Sequence, residues 1–249
     1  MTKIISIINQ KGGVGKTTTA CSLASALSLK GERILLIDLD PQGNLSQSLG
    51  VGACENNIYQ CLKGESKFSP VQIMMNLDIV PSTIDLNAFE LEMSSEPGRE
   101  YLLRELLEQV KSDYDYIIID CSPSLGLVAL NALTASDSYL VPLLPHHLSI
   151  QGLSKLLEVT QKIKARINPK LELEGVLLTQ FSHRKVMHQD IFEVIKKHFN
   201  GKVYQTSIRE NIALAESPSA GLDIFRYAPN SNGAEDYLKL CKEFLSKQL

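Results

Sequence analysis

The sequence predicts an α/β protein built on a doubly wound, mostly parallel sheet with helices on both faces. Three observations predict it. Short runs of Ile, Val and Leu, several of them continuous rather than alternating, recur between stretches of helical periodicity. A glycine-rich loop joins the first run to the first helical stretch. No repeat, low-complexity tract or linker divides the 249 residues, so 1–249 reads as one domain.

Strands are expected at 4–9, 34–38, 77–80, 116–120, 139–144 and 173–179, where aliphatic residues suit parallel strands covered on both faces. Helices are expected at 16–29, 84–93, 99–110, 125–135, 150–167, 187–199 and 234–247. The first carries Ala20, Leu23, Ala24 and Leu27 on one face and stops at Gly31; Pro169 ends the fifth. In such a sheet, ligands bind at the carboxyl ends of the strands.

Composition narrows the class. The chain is 44% hydrophobic and 21% charged, ordinary for a globular protein. No apolar run approaches the roughly 18 residues that span a bilayer. The short apolar run near the N-terminus is needed as the first strand, so no signal peptide is read there. Cys21, Cys54, Cys61, Cys121 and Cys241 lack paired spacing, which points to a reducing compartment rather than to disulfides or zinc. The net charge of −3 does not announce a nucleic-acid binder. Residues 1–150 hold 10 basic against 17 acidic residues, however, and 151–249 hold 15 against 11, so the C-terminal part is compatible with a local phosphate-facing patch.

The stretch Gln10-Lys11-Gly12-Gly13-Val14-Gly15-Lys16-Thr17-Thr18 carries the chemistry. Between strand and helix, its glycines let backbone N–H groups close around phosphate oxygens, and the helix N-terminus adds partial positive charge. Lys16 would reach the β- and γ-phosphates, Thr17 would ligate Mg²⁺, and Thr18 would touch the α-phosphate. The common pattern has glycine where this chain has Gln10, and a second lysine, Lys11, follows. A lysine there can point out of its own loop towards a nucleotide held by a second subunit.

Two strand ends supply carboxylates. The second strand runs into Asp38-Leu39-Asp40-Pro41-Gln42-Gly43-Asn44; if it stays extended, Asp38 and Asp40 share one face. One would orient a magnesium-bound water and the other would position the attacking water. The strand 116–120 ends in Asp120, placed to hold Mg²⁺ through a water. Cys121 beside it reads as a packed residue rather than a nucleophile.

The loop resembles the deviant P-loop of the ParA/MinD ATPases, in which the signature lysine crosses a dimer interface to the partner's phosphates. The resemblance to ParA/Soj-type partition ATPases covers essentially the whole chain, most specifically in the P-loop and in Asp38–Asn44, which matches the family's DxDPQxN switch. It implies a P-loop NTPase fold, ATP and Mg²⁺ as ligands, and a hydrolytic role for Asp40, with Asp38, Thr17 and Asp120 at the metal. Family members usually read D-x-P-P-S at the second switch, where Ser122 here replaces the first proline. Gly175–Phe181 and Glu216–Leu222 resemble the base-binding region, with Thr179 or Gln180 and Pro218 bracketing adenine.

The resemblance further implies a cytoplasmic, nucleoid-associated homodimer that binds DNA non-specifically with ATP and is stimulated by a ParB-type centromere-binding partner, in chromosome or plasmid partition. Hydrolysis would then depend on dimerisation, with Lys11 acting in trans. Where family members often carry arginines, this chain has Glu210 and Ala213; Arg184, Lys185, Lys196, Lys197, Lys202 and Arg209 are the basic substitutes nearby. The competing reading is a MinD-like ATPase at the membrane surface, which needs an amphipathic anchor. The basic, amphipathic segment from Tyr237 to Leu245 coincides with the family's closing helix, so its apolar face is expected in the core and no stable membrane anchor is expected. An electron donor like the nitrogenase iron protein would need a second cysteine suited to a shared cluster beside Cys121, and none is evident.

Overall fold

The computed structural model describes residues 2–52, 54–199 and 201–248. Seven strands form one sheet: β1 (Lys3–Ile7), β2 (Ile34–Leu39), β3 (Val71–Met74), β4 (Leu77–Val80), β5 (Tyr116–Cys121), β6 (Ser138–Leu143) and β7 (Glu172–Leu178), in the spatial order β3-β4-β2-β5-β1-β6-β7. Every neighbouring pair is parallel except β3–β4. The α-helices are α1 (Lys16–Ser28), α2 (Asn44–Ser48), α3 (Ile58–Leu62), α4 (Phe89–Glu92), α5 (Leu102–Glu108), α6 (Leu127–Ala135), α7 (His147–Arg166), α8 (Val186–His198), α9 (Ile212–Glu216), α10 (Ile224–Tyr227) and α11 (Asn232–Ser246).

Alternation along the strands feeds two cores. Leu35, Ile37, Ile117, Ile119, Val141 and Val176 pack on one face with α6 and α7, while Ile5, Ile7, Leu36, Ile118 and Leu140 pack on the other with α1 and α11. Burial on both faces is why these strands read as continuous aliphatic runs. The apolar stripe of α11 (Tyr237, Leu240, Cys241 and Phe244) is buried there, and the Tyr237 hydroxyl meets Thr19 Oγ1 at 3.1 Å. Among the described residues no helix is long and apolar enough to cross a membrane.

All six expected strands and the sheet's mostly parallel character are present. The structure differs in five respects. Strand β3, an antiparallel edge, was not expected; four residues without a long branched run give little periodicity, and Asn76 turns into β4 through a left-handed φ of 62°. The stretch 84–93 splits into a 3-10 turn at Ile84–Ala88 followed by the single turn of α4; Asp85 and Asn87 are residue types that disfavour a helix interior. Helix α5 is shorter than 99–110, and α7 starts three residues early, entered from His146 in an extended conformation. The short helices α2, α3, α9 and α10 lie between expected elements and were not foreseen.

Candidate active site

The glycine loop bridges β1 and α1 at the carboxyl end of the sheet. Asn9, almost fully buried, pins its start: Nδ2 donates to the Pro142 carbonyl at 2.7 Å, and Oδ1 accepts the Lys11 N–H at 3.0 Å. Gly13 and Gly15 hold φ of 71° and 84°, values a side chain resists, and Gly15 is the N-cap of α1. The buried Val14 offers its carbonyl to Thr179 Oγ1 at 2.9 Å, tying the loop to the end of β7. The loop floors a cleft of about 800 Å³, lined among others by Gly12, Gly13, Lys16, Thr17, Thr18, Asp40 and Pro218. A second pocket of about 500 Å³ opens beyond Gly15 and Thr18, between Thr179, Gln180 and the segment Ile208–Ala215. Thr179 and Gln180 therefore line one pocket and Pro218 the other, and the two pockets share Gly15 and Thr18.

Lys16 is only 7% exposed, and its Nζ donates to the Lys11 carbonyl at 3.1 Å. Burial pulls its ammonium below the usual lysine range, opposed by Asp120, Cys121 and Asp40. Thr17 Oγ1 donates to Asp120 Oδ2 at 2.7 Å, and Asp120 Oδ1, fully buried, has no hydrogen-bond partner among the described residues. Burial lifts Asp120 well above the carboxylate range, helped by the neighbouring Asp38 carboxylate; the Thr17 hydrogen bond and Lys16 oppose the lift. A hydroxyl and a carboxylate with an orphaned oxygen are hard oxygen donors, and this set fits a magnesium ion held partly through water.

Strand β2 ends at Leu39, so the extended conformation does not carry Asp38 and Asp40 onto one face of the cleft. Asp38 is 0% exposed and absent from the cleft lining: Oδ2 accepts the Ser46 N–H (2.9 Å) and hydroxyl (2.7 Å), and Oδ1 accepts the Asp40 N–H (3.1 Å). Burial pushes Asp38 up to about 6 despite these donors. Asp40, half-buried, lines the cleft instead. Sequence reading missed Ser46 and Asn87 as neighbours of the site, because no spacing rule links the helix after β2 and the turn after β4 to the phosphate loop.

Lys11 takes no part in lining its own cleft. Its side chain reaches α7 at Gly152, where Cε lies 3.7 Å from the position a Cβ on that glycine would occupy. Cys121 is buried, and burial pushes its thiol far above the reactive range. Among the described residues there is no group of three or more His, Cys, Asp or Glu arranged to hold a metal.

The basic residues divide. Arg184, Lys185, Lys196, Lys197 and Lys202 are exposed at the two ends of α8, about 18 Å apart on a 13-residue helix, and no ion pair among the described residues includes them. Arg209 differs: its guanidinium is held by Asp236 (2.6 and 2.8 Å) and Glu235 (2.6 Å), so its charge is neutralised within the fold.

Strand order, loop and carboxylates define a phosphate-loop nucleotide-binding protein of the deviant, two-lysine type. The family model described as "AAA domain" matches residues 2–173. The chain is 45% identical to the sporulation initiation inhibitor protein Soj of Bacillus subtilis, over 98% of each chain. It superposes with a TM-score of 0.86 on a plasmid partition protein of Borrelia burgdorferi bound to AMPPNP (28% identity, 99% of this chain and 100% of that one). The same score relates it to cobyrinic acid a,c-diamide synthase of Mycobacterium smegmatis with bound ATP analogue and magnesium (32% identity, 97% and 93%). The chain belongs to the ParA/Soj family of partition ATPases.

Proposed function

We propose that this protein is an ATP-driven DNA partition switch. ATP with Mg²⁺ joins two copies into a symmetric sandwich that binds DNA non-specifically, and hydrolysis, stimulated by a ParB-type partner, resets it. The observation that carries this reading is the direction of Lys11, turned from its own cleft onto α7. A loop with one lysine over its own phosphates and another directed outwards suits a site completed by a second copy, and two-fold symmetry makes each chain donor and recipient.

Within one chain, the loop amides and Lys16 would bind the β- and γ-phosphates, and the pocket beside Thr179 and Gln180 would take the base. Magnesium, held by the Thr17 hydroxyl and through water by Asp120, would neutralise phosphate charge. Asp40 would orient the attacking water from the cleft wall. Lys11 of the second copy would add the cation that stabilises charge developing in the transition state, a contribution worth roughly 10³–10⁵ in rate for comparable groups in trans.

The DNA surface is the set Arg184, Lys185, Lys196, Lys197 and Lys202, without Arg209. With about five phosphate contacts per protomer, log affinity falls against log salt with a slope near −4.5 per protomer, whatever the DNA sequence. The test uses Asp40→Ala, which binds ATP without cleaving it. Sedimentation is expected to show a dimer with ATP and a monomer with ADP, and the ATP form is expected to retain DNA at low salt. A dimer that ignores DNA removes the partition reading; ATP-dependent pelleting with anionic vesicles in its place favours the membrane-positioning alternative.

A further inference from the structure

We infer that Ser46 is a positioning residue for hydrolysis: through the buried Asp38 carboxylate it fixes the place of Asp40, and it fastens that assembly to the turn that follows β4. The inference rests on the reading of Asp40 as the group that orients water. Its basis is a continuous chain of hydrogen bonds. The Ser82 N–H donates to Ser46 Oγ at 3.1 Å, the Ser46 hydroxyl donates to Asp38 Oδ2 at 2.7 Å, and the Asp40 N–H donates to Asp38 Oδ1 at 3.1 Å. The Ser46 N–H adds a second bond to Oδ2 at 2.9 Å. The loop is also pressed against the turn after β4 at Gly43, which has φ 63° and where a Cβ would lie 3.2 Å from the Ser82 carbonyl oxygen.

A fully buried carboxylate with no cation bonded to it is an expensive way to stabilise a fold, since an apolar residue of similar volume avoids the desolvation. Asp38 spends all three of its acceptor contacts on the segment 40–46, and one of them sets the backbone of Asp40 itself. Ser46 is the only member of this set that both donates to Asp38 and accepts from the turn after β4, at Ser82. Its hydroxyl therefore governs where the cleft wall stands relative to the phosphate loop, without touching nucleotide.

The experiment compares Ser46→Ala, Ser46→Cys and Ser46→Thr in steady-state ATP turnover, with binding of a fluorescent ATP analogue measured in parallel. Misplacing a water-orienting group by about 1 Å lowers turnover by roughly 10–100-fold, so Ser46→Ala and Ser46→Cys are expected to lose kcat in that range with nucleotide affinity changed less than about twofold. Ser46→Thr keeps the hydroxyl and is expected to recover kcat to within about threefold. On an Asp40→Ala background, Ser46→Ala is expected to change turnover no further, because both act through one group. Ser46→Ala and Ser46→Cys turning over at the wild-type rate, losing only affinity, or adding in full to Asp40→Ala overturns the inference. If Asp40→Ala alone turns over normally, the reading of Asp40 fails instead, which is a separate result.

Discussion

Replacing the buried Asp38 by Asn should remove a calculable part of the pH dependence of stability. Its carboxyl is raised to about 6 in the fold by burial, against an ordinary value near 3.9 in the unfolded chain. Because the folded protein holds this proton more tightly, the contribution of protonated Asp38 is fully present below about pH 4, is lost as pH rises towards 6, and is constant above that. A shift of roughly two units corresponds to about 3 kcal/mol. Asp120 is displaced in the same direction, partly by the Asp38 charge, so the informative quantity is the difference between wild type and Asp38→Asn, which carries the loss of Asp38 titration and, with the same sign, a smaller lift of Asp120. Whatever the amide costs by turning a donor towards Ser46 is independent of pH. Urea unfolding of both nucleotide-free proteins between pH 4 and 7 is expected to show the variant gaining on the wild type by about 2 kcal/mol across that interval. A difference that stays flat, or moves the other way, would show that the fold stabilises Asp38 as an ion, and the burial argument would be wrong.

Two further outcomes follow from packing and pairing. Gly175→Ala in β7 places a Cβ 2.6 Å from Tyr204 Cε2, and overpacking of about 2 kcal/mol lowers Tm by roughly 4 °C at this chain length; an unchanged melting curve would contradict the contact. Arg209→Ala leaves the buried Asp236 carboxylate without its guanidinium and is expected to destabilise by about 2 kcal/mol while DNA affinity stays within about twofold; lost DNA binding at full stability would put Arg209 back on the nucleic-acid surface.

Much of the fold is legible in the sequence because parallel strands buried on both faces carry continuous aliphatic runs, as in the four residues 34–37 and the three residues 117–119. The edge strand Val71–Met74 escapes notice because half-covered strands of four residues leave little pattern. At the site, the loop from Gly12 to Thr18 is readable because local backbone geometry dictates its glycines. The different fates of Asp38 and Asp40 are not readable, since they depend on where β2 stops and on Ser46, eight residues further along the chain. Arg209 likewise reads as a surface cation until α11 folds back and sets Asp236 beside it. Charge visible in a sequence says nothing about whether the fold has already neutralised it.

The claim that Lys11 serves a neighbouring nucleotide is tested most directly by mixing two defective proteins. Lys11→Ala keeps Asp40 but has no lysine to give; Asp40→Ala gives its lysine but cannot cleave. Each alone is expected to turn over ATP at least about 10²-fold more slowly than wild type. In an equimolar mixture, about half of the dimers pair one of each, and each such pair has one complete site, so turnover is expected to rise to about a quarter of wild type per chain. A mixture no faster than the sum of its parts, or Lys11→Ala hydrolysing normally by itself, would contradict action in trans.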